Sequence, residues 1–423
     1  MKKRICALAL LLCAVTAFSA CSGANSGVSS ATSATSKESS VWYPSGKEPK
    51  SSDDISDSEQ YSGQSSDKSD TLTGEVPTEW QDGGIFSANY EKAYNIVLNM
   101  SLDEKIGQMF YARCPDSGAV EDAQGYHLGG YVIFGEFFKN KTKQEVADDI
   151  SNIRNANTIP LTVSVDEEGG TVTRISAKPL LSDHEFQSPR DLYTEGGIEL
   201  IKSDAEEKAK LLCSLGVDTN LAPVCDICEN EDDFMYDRSI GLDAEGTGEF
   251  VSEVTKISQQ NGVSVTLKHF PGYGSNVDTH TGIAVDDRSY EEFESKDFLP
   301  FKSGIEAGAH AVLVSHNIVN CMDSTRPASI SAPVHKQLRE ELGFTGVIFT
   351  DDLAMDAISE YTSDSSPVVE AVLAGNDMIL ISDIAESLSD VRAAVEDGRI
   401  DEKIIDHAVM RVLAWKLTTG VLK

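Results

Sequence analysis

Eight short apolar runs recur through the chain, at residues 109–112, 130–134, 161–165, 217–224, 263–268, 311–315, 347–350 and 377–381. Several are continuously apolar and rich in Val and Ile, the pattern of parallel strands buried on both faces. Longer amphipathic stretches separate them. Residues 143–156 place Val146, Ile150 and Ile153 on one helical face, and residues 197–215, 246–260, 297–307 and 331–342 follow the same period. Ser331-Ala332-Pro333 reads as a helix start. This alternation predicts the α/β class, a (β/α)8 TIM barrel over residues 83–423. An open doubly wound sheet is the alternative. It is disfavoured because no Gly-x-Gly-x-x-Gly follows the first run.

The chain ahead of the barrel has a different character. Lys2, Lys3 and Arg4 precede an uncharged apolar run from Ile5 to Phe18, then Ser19-Ala20-Cys21. Residues 1–20 therefore read as a signal peptide, too short for a retained membrane span. The small residues before Cys21 resemble a bacterial lipobox, with Phe18 where Leu is usual. That resemblance implies an exported lipoprotein, lipidated at Cys21 and anchored to the outer face of the cell membrane. An ordinary secretory signal with an incidental Cys is the alternative. Residues 21–82 read as a disordered, Ser-rich stalk, since 17 of the 49 residues 22–70 are Ser and few are apolar. About sixty random-coil residues would span roughly 45 Å.

The formal net charge is −34, from 35 basic and 69 acidic residues. Nearly all of it, about −30, falls on the predicted barrel. Such a balance argues against nucleic acid and against a polybasic membrane patch. Contact with the membrane is expected through the lipid anchor alone, and the chain is expected to act as a monomer. Five cysteines lie within the barrel: Cys114, Cys213, Cys225, Cys228 and Cys321. Their odd number and irregular spacing do not form a disulfide framework. Cys225-Asp226-Ile227-Cys228 is a lone pair without the further ligands zinc requires. We read these cysteines as packing residues, ahead of a local disulfide, and expect no metal and no cofactor.

Polar clusters follow the apolar runs in phase. The third run ends in Asp166-Glu167-Glu168-Gly169-Gly170, the fifth in Lys268-His269, the sixth in Ser315-His316-Asn317 and the seventh in Asp351-Asp352. In a barrel these strand ends converge on one mouth. A carboxylate held there, such as Asp351, can attack an electrophilic carbon. A helix N-cap is the competing role, and Asp352 serves it better. Asp278 and His280 stand two residues apart in a loop, so one can orient the other's imidazole for proton transfer near neutral pH. Lys268 needs an acceptor if buried. Asp166 and Arg174 offer an acceptor and a fixed donor for hydroxyl groups. Gly169 and Gly170 allow close approach or positive φ.

Val165-Asp-Glu-Glu-Gly-Gly-Thr-Val-Thr-Arg174, Lys268-His-Phe-Pro-Gly-Tyr-Gly274, Asp278-Thr-His280 and Phe349-Thr-Asp-Asp-Leu353 resemble glycoside hydrolase family 3, in particular its β-N-acetylglucosaminidase branch. The likeness runs from about residue 102 to residue 422. It implies Asp351 as nucleophile, His280 as acid/base and Asp278 as its partner. Asp166, Arg174, Lys268, His269 and Arg238, the last in Asp237-Arg-Ser-Ile-Gly241, would bind the terminal sugar. In other members the acid/base comes from a second domain. Here the chain ends soon after Arg411-Val-Leu-Ala-Trp-Lys416, so a barrel His–Asp pair is expected instead. Thr171 and Tyr273 replace the usual Arg and His. The implied activity is retaining, exo-acting removal of terminal β-linked N-acetylglucosamine, with peptidoglycan fragments as the expected substrate. A phosphorylase or β-glucosidase of the same family, or a non-catalytic sugar-binding lipoprotein, are the alternatives.

Overall fold

All eight apolar runs become strands of one parallel sheet. They are β1 (Phe110–Arg113), β2 (Gly130–Val132), β3 (Thr162–Val165), β4 (Thr219–Asn220), β5 (Ser264–Phe270), β7 (Ala311–Val314), β9 (Val347–Thr350) and β10 (Ile379–Ile381). Two further strands, β6 (Val285–Asp286) and β8 (Ile318–Val319), pair with each other in the loops beyond β5 and β7. The structure is a computed structural model that describes residues 71–275, 284–354, 358 and 366–423. The leader, Cys21, most of the stalk and the Asp278-Thr-His280 motif lie outside the described residues.

The sheet order is β10-β1-β2-β3-β4-β5-β7-β9. The two ends meet where Phe349 pairs with Met378 and the Thr350 N–H donates to the Met378 carbonyl at 3.1 Å. The sheet is therefore a (β/α)8 barrel with surrounding helices. Closure leaves no free edge, and the helices cover the outer faces of strands that are buried throughout.

Helices fall at the amphipathic stretches, with local differences. Lys143–Arg154 and Ala244–Gln260 begin at Thr142 and Asp243, whose side chains accept the N–H groups of Glu145 and Gly246. The helix expected over residues 197–215 is present and runs to Leu215, and a further helical segment, capped by Ser188, leads into it from Pro189 across a break at Gly197 (φ 62°). Residues 332–341 begin as expected at Ser331 but turn into a π-helical segment from Gln337. Residues 71–82 differ from the stalk assignment: they lie against the barrel. Leu72 N–H donates to the Asn99 carboxamide, and Trp80 is buried with its ring stacked 4.9 Å from that of His407.

The final helix, Glu402–Thr419, reaches the N-terminal ends of the strands. Trp415 Nε1 donates to Ser264 Oγ at 3.1 Å, and its ring meets Phe349 edge-on. Lys416 is fully buried beside it and donates to Gln108 Oε1 at 2.7 Å and to the Pro160 carbonyl at 3.0 Å. This floor stabilises the barrel, whereas the opposite face carries the polar strand ends. Burial pushes the Lys416 ammonium down to about 7, against the pull of Asp218. An unfolded lysine titrates near 10.4. Between those values the unfolded chain holds a proton that the folded chain lacks. Lys416 should therefore make stability rise with pH across that window, by up to about 1.4 kcal/mol per unit. Urea unfolding near pH 7 and near pH 9 should show a steeper rise for wild type than for Lys416→Met; equal slopes would contradict the assignment.

Candidate active site

The polar strand ends converge at the barrel mouth as the sequence pattern requires. Asp166, Glu168, Arg174, Arg238, Lys268, His269, Tyr273, Asp351 and Asp352 line one cavity of about 860 Å³. That is ample room for a small polar ligand.

Its centre is an ion cluster. Lys268, buried near the end of β5, places Nζ 2.7 Å from Asp166 Oδ1 and 2.7 Å from Glu168 Oε1. Arg238 grips the same Glu168 with both arms, Nε to Oε2 at 2.9 Å and Nη2 to Oε1 at 2.7 Å. This two-point geometry is the strong form of an Arg–carboxylate pair. Burial opposes the Glu168 charge, but Arg238 and Lys268 outweigh it and hold the carboxyl well below the usual range. Burial likewise opposes the Lys268 ammonium, and Asp166 and Glu168 reverse that effect and raise it.

His269 sits beside this cluster. Arg238 Nη2 lies 3.2 Å from its Nε2, and Asp226 Oδ2 lies 2.8 Å from its Nδ1. A guanidinium can only donate and a carboxylate can only accept, so the ring proton belongs on Nδ1. Asp226 also accepts the backbone N–H groups of His269 and Tyr273, at 3.0 and 2.7 Å. Burial works against the Asp226 carboxylate, but the His269 ring and these two N–H groups hold it below its ordinary value. Tyr273 packs its ring edge-on to His269 at 5.2 Å. The Lys268–His269 and Phe270–Pro271 peptides are cis.

Arg174 is held by its backbone. Glu167 Oε2 accepts the N–H groups of Arg174 and Ile175 at 2.8 Å each, and Oε1 accepts from Ser176. Gly169 and Gly170 take φ of 102° and 62°, and a Cβ on Gly169 would strike the Gln187 carbonyl. The Arg174 guanidinium stands 4.0 Å from Asp166, and its buried Nε has no partner among the described residues. Its Nη1 donates to the Thr173 carbonyl at 3.4 Å, and the residue borders the cavity.

Asp351 follows β9 directly. Its N–H donates to the Val314 carbonyl at 2.9 Å, and its Oδ1 accepts the Asp352 N–H at 2.9 Å. Asp352 turns its own Oδ1 to the Ala354 N–H at 3.0 Å, a local capping contact. Arg113 lies 3.8 Å from the other Asp352 oxygen, with its guanidinium 4.3 Å above the Phe134 ring.

The structure thus gathers Asp166, Arg174, Arg238, Lys268, His269 and Asp351 around one cavity. Asp278 and His280 fall outside the described residues, which stop at Ser275 and resume at Ala284. Glu167 and Glu168 stood in the polar cluster after the third run without an assigned role, and Asp226 escaped the sequence reading. Asp226 lay inside Cys225-Asp-Ile-Cys228, where the thiols drew attention. Cys225 and Cys228 are both buried free thiols. The signal that could have found Asp226 is an acid directly after an apolar strand run.

The family model described as Glycosyl hydrolase family 3 N terminal domain matches residues 101–415. This chain belongs to glycosyl hydrolase family 3. It is a glycoside hydrolase. A beta-hexosaminidase of Xylella fastidiosa (strain M23) is 34% identical over 295 residues, covering 68% of this chain and 86% of the relative. One from Nitrosomonas eutropha is 28% identical, covering 66% and 81%. Among solved structures, a family 3 beta-N-acetylglucosaminidase from Paenibacillus sp. str. FPU-7 aligns with a TM-score of 0.70 at 31% identity. That alignment covers 76% of this chain and 63% of the Paenibacillus chain, so the hydrolase spans less than two thirds of that relative. M tuberculosis LpqI aligns with a TM-score of 0.70 at 27% identity, over 77% and 96% of the two chains.

Glu168 offers a direct test of the ion cluster in this glycoside hydrolase. Glu168→Gln leaves Lys268 and Arg238 underpaired in a buried site and should destabilise the fold by about 3 kcal/mol near neutral pH. A carboxyl with a lowered folded pKa stabilises above its unfolded value and loses that effect as pH falls through the acid range. The gap between wild type and variant in urea unfolding should therefore narrow below about pH 4.5. A gap independent of pH would exclude the charge as its source.

Proposed function

We propose that this family 3 hydrolase is an exo-acting, retaining β-N-acetylglucosaminidase. One observation carries the reading: Asp351 opens into the same cavity as Asp166, Arg174, Arg238, Lys268 and His269. The beta-hexosaminidase relatives and the beta-N-acetylglucosaminidase structure support the choice of sugar.

In the proposed reaction an Asp351 carboxylate oxygen attacks the anomeric carbon while the glycosidic C–O bond breaks. His280, as imidazolium and paired with Asp278, gives its proton to the departing oxygen. The neutral ring then takes a proton from water. That water oxygen attacks the anomeric carbon and releases Asp351. Asp166 and Lys268 would hold the hydroxyls of the terminal sugar, with Arg174, Arg238 and His269 completing the pocket. Every one of these groups comes from the chain itself, and no cofactor enters the scheme.

The proposal extends to the setting. A leader ending before Cys21 and a Ser-rich stalk would place the barrel outside the membrane, facing wall material. Peptidoglycan fragments ending in N-acetylglucosamine are the substrate we assign.

A panel of chromogenic glycosides tests the reading. Wild type should release the chromophore from the N-acetyl-β-glucosaminide and not from the β-glucoside. Asp351→Asn and His280→Ala should each lower kcat by about 100-fold or more. Cleavage of the glucoside alone would overturn the sugar assignment, and sugar 1-phosphate as the main product in phosphate buffer would overturn hydrolysis.

A further inference from the structure

The Ser315-His316-Asn317 end of β7 has no part in the scheme above, although it lies between two strand ends that do. Ser315 donates both its N–H and its hydroxyl to the Phe270 carbonyl, at 2.9 and 3.1 Å, at the close of the Lys268-bearing strand. His316 turns the other way. It is fully buried, with Nε2 2.9 Å from the main-chain carbonyl of Asp352 and Nδ1 2.6 Å from Ser329 Oγ. A carbonyl oxygen can only accept, so Nε2 carries the ring proton, and Nδ1 is left to accept from the Ser329 hydroxyl. Ser329 is itself buried and fixed: its N–H donates to the Ser315 carbonyl at 2.9 Å, and its carbonyl accepts from Asn376 at 2.8 Å.

The main chain of Asp352 meets the Asp351 carboxylate. Its N–H lies 2.9 Å from Asp351 Oδ1. Besides the contact of Arg113 with the Asp352 carboxylate, the main chain of the turn holding both acids is tied to the barrel at three points among the described residues. Asp351 N–H reaches the Val314 carbonyl at 2.9 Å, and Leu353 N–H reaches the Leu380 carbonyl at 3.2 Å. The third tie, and the one made by a side chain to the main chain of Asp352, is His316. The Asp352 carbonyl and the Leu353 N–H belong to one peptide plane, so His316 and the Leu380 carbonyl hold that plane by its two polar groups, one residue beyond the Asp352 N–H that meets Asp351.

We infer that His316 is a positioning residue for the nucleophile: by holding the Asp352 carbonyl through Nε2–H, it fixes the backbone N–H that orients the Asp351 carboxylate. The inference rests on the reading of Asp351 as nucleophile. His316 itself touches no reacting atom in this role. It should act on the rate of the chemical step and leave the pocket that binds the sugar largely alone.

The test compares wild type, His316→Ala, His316→Gln and Asp351→Asn on the chromogenic N-acetylglucosaminide, below the melting temperature of each variant. A misplacement of about 1 Å at a reacting group lowers rate by roughly 100-fold. His316→Ala should therefore lose between about 10- and 100-fold in kcat, with KM within about three-fold of wild type. His316→Gln can still offer an amide N–H to the Asp352 carbonyl and should recover most of that loss. A merely structural role would lower the melting temperature of both variants and leave kcat of the folded fraction unchanged. That outcome, or a Gln variant as impaired as Ala, would overturn the inference. Turnover retained by Asp351→Asn would instead overturn the nucleophile reading on which it rests.

Discussion

Lys268 enters the barrel mouth as a buried cation between two carboxylates, and Glu168 shares one of its oxygens between Lys268 and Arg238. None of these charges could be buried alone, since an isolated ion in this setting costs several kcal/mol. Together they join the end of β3, the end of β5 and the loop after β4. They meet because β3, β4 and β5 are parallel neighbours in the sheet, which sets their C-terminal ends side by side. The cluster adds little net stability by itself, because desolvation offsets much of its Coulomb energy. Its effect is positional. It presents fixed donors and acceptors at one end of a cavity whose other side carries Asp351.

Support for the site runs outward from that cluster through groups that never line the cavity. Asp226 fixes the proton of His269, and Glu167 gathers the backbone N–H groups around Arg174. His316 does the same for the turn after β9. In each case a buried acceptor or ring meets a main-chain group at a strand end, where the regular ladder has run out of partners. Hydroxyl recognition needs such fixed geometry, because a loose donor would serve water as well as a sugar.

Much of this was legible beforehand, for identifiable reasons. A strand buried on both faces is mostly apolar along its length, so runs such as 347–350 and 311–315 marked their own positions. A polar residue that interrupts such a run at its end is costly unless used, and this exposed Asp351, Lys268 and Asp166. Helix starts were harder. Ser188 and Pro189 begin a separate helical segment ahead of the expected one, and the non-helical backbone of Gly197 divides the two. Residues 71–82 read as stalk by composition, yet Trp80 is buried beside His407 and Leu72 and Gly74 bond to Asn99 and Asn95.

By itself, then, the sequence determined the strand order, the identity of the residues at each strand end and the family motifs. These depend on local pattern, and a period of apolar residues survives without any knowledge of partners. Only the tertiary structure decided which charges neutralise one another. Glu168 and Arg238 lie 70 positions apart and Asp226 and His269 lie 43 apart. No local signal links such pairs; the parallel pairing of β3 with β4 and of β4 with β5 does, because it sets their C-terminal ends side by side at one mouth.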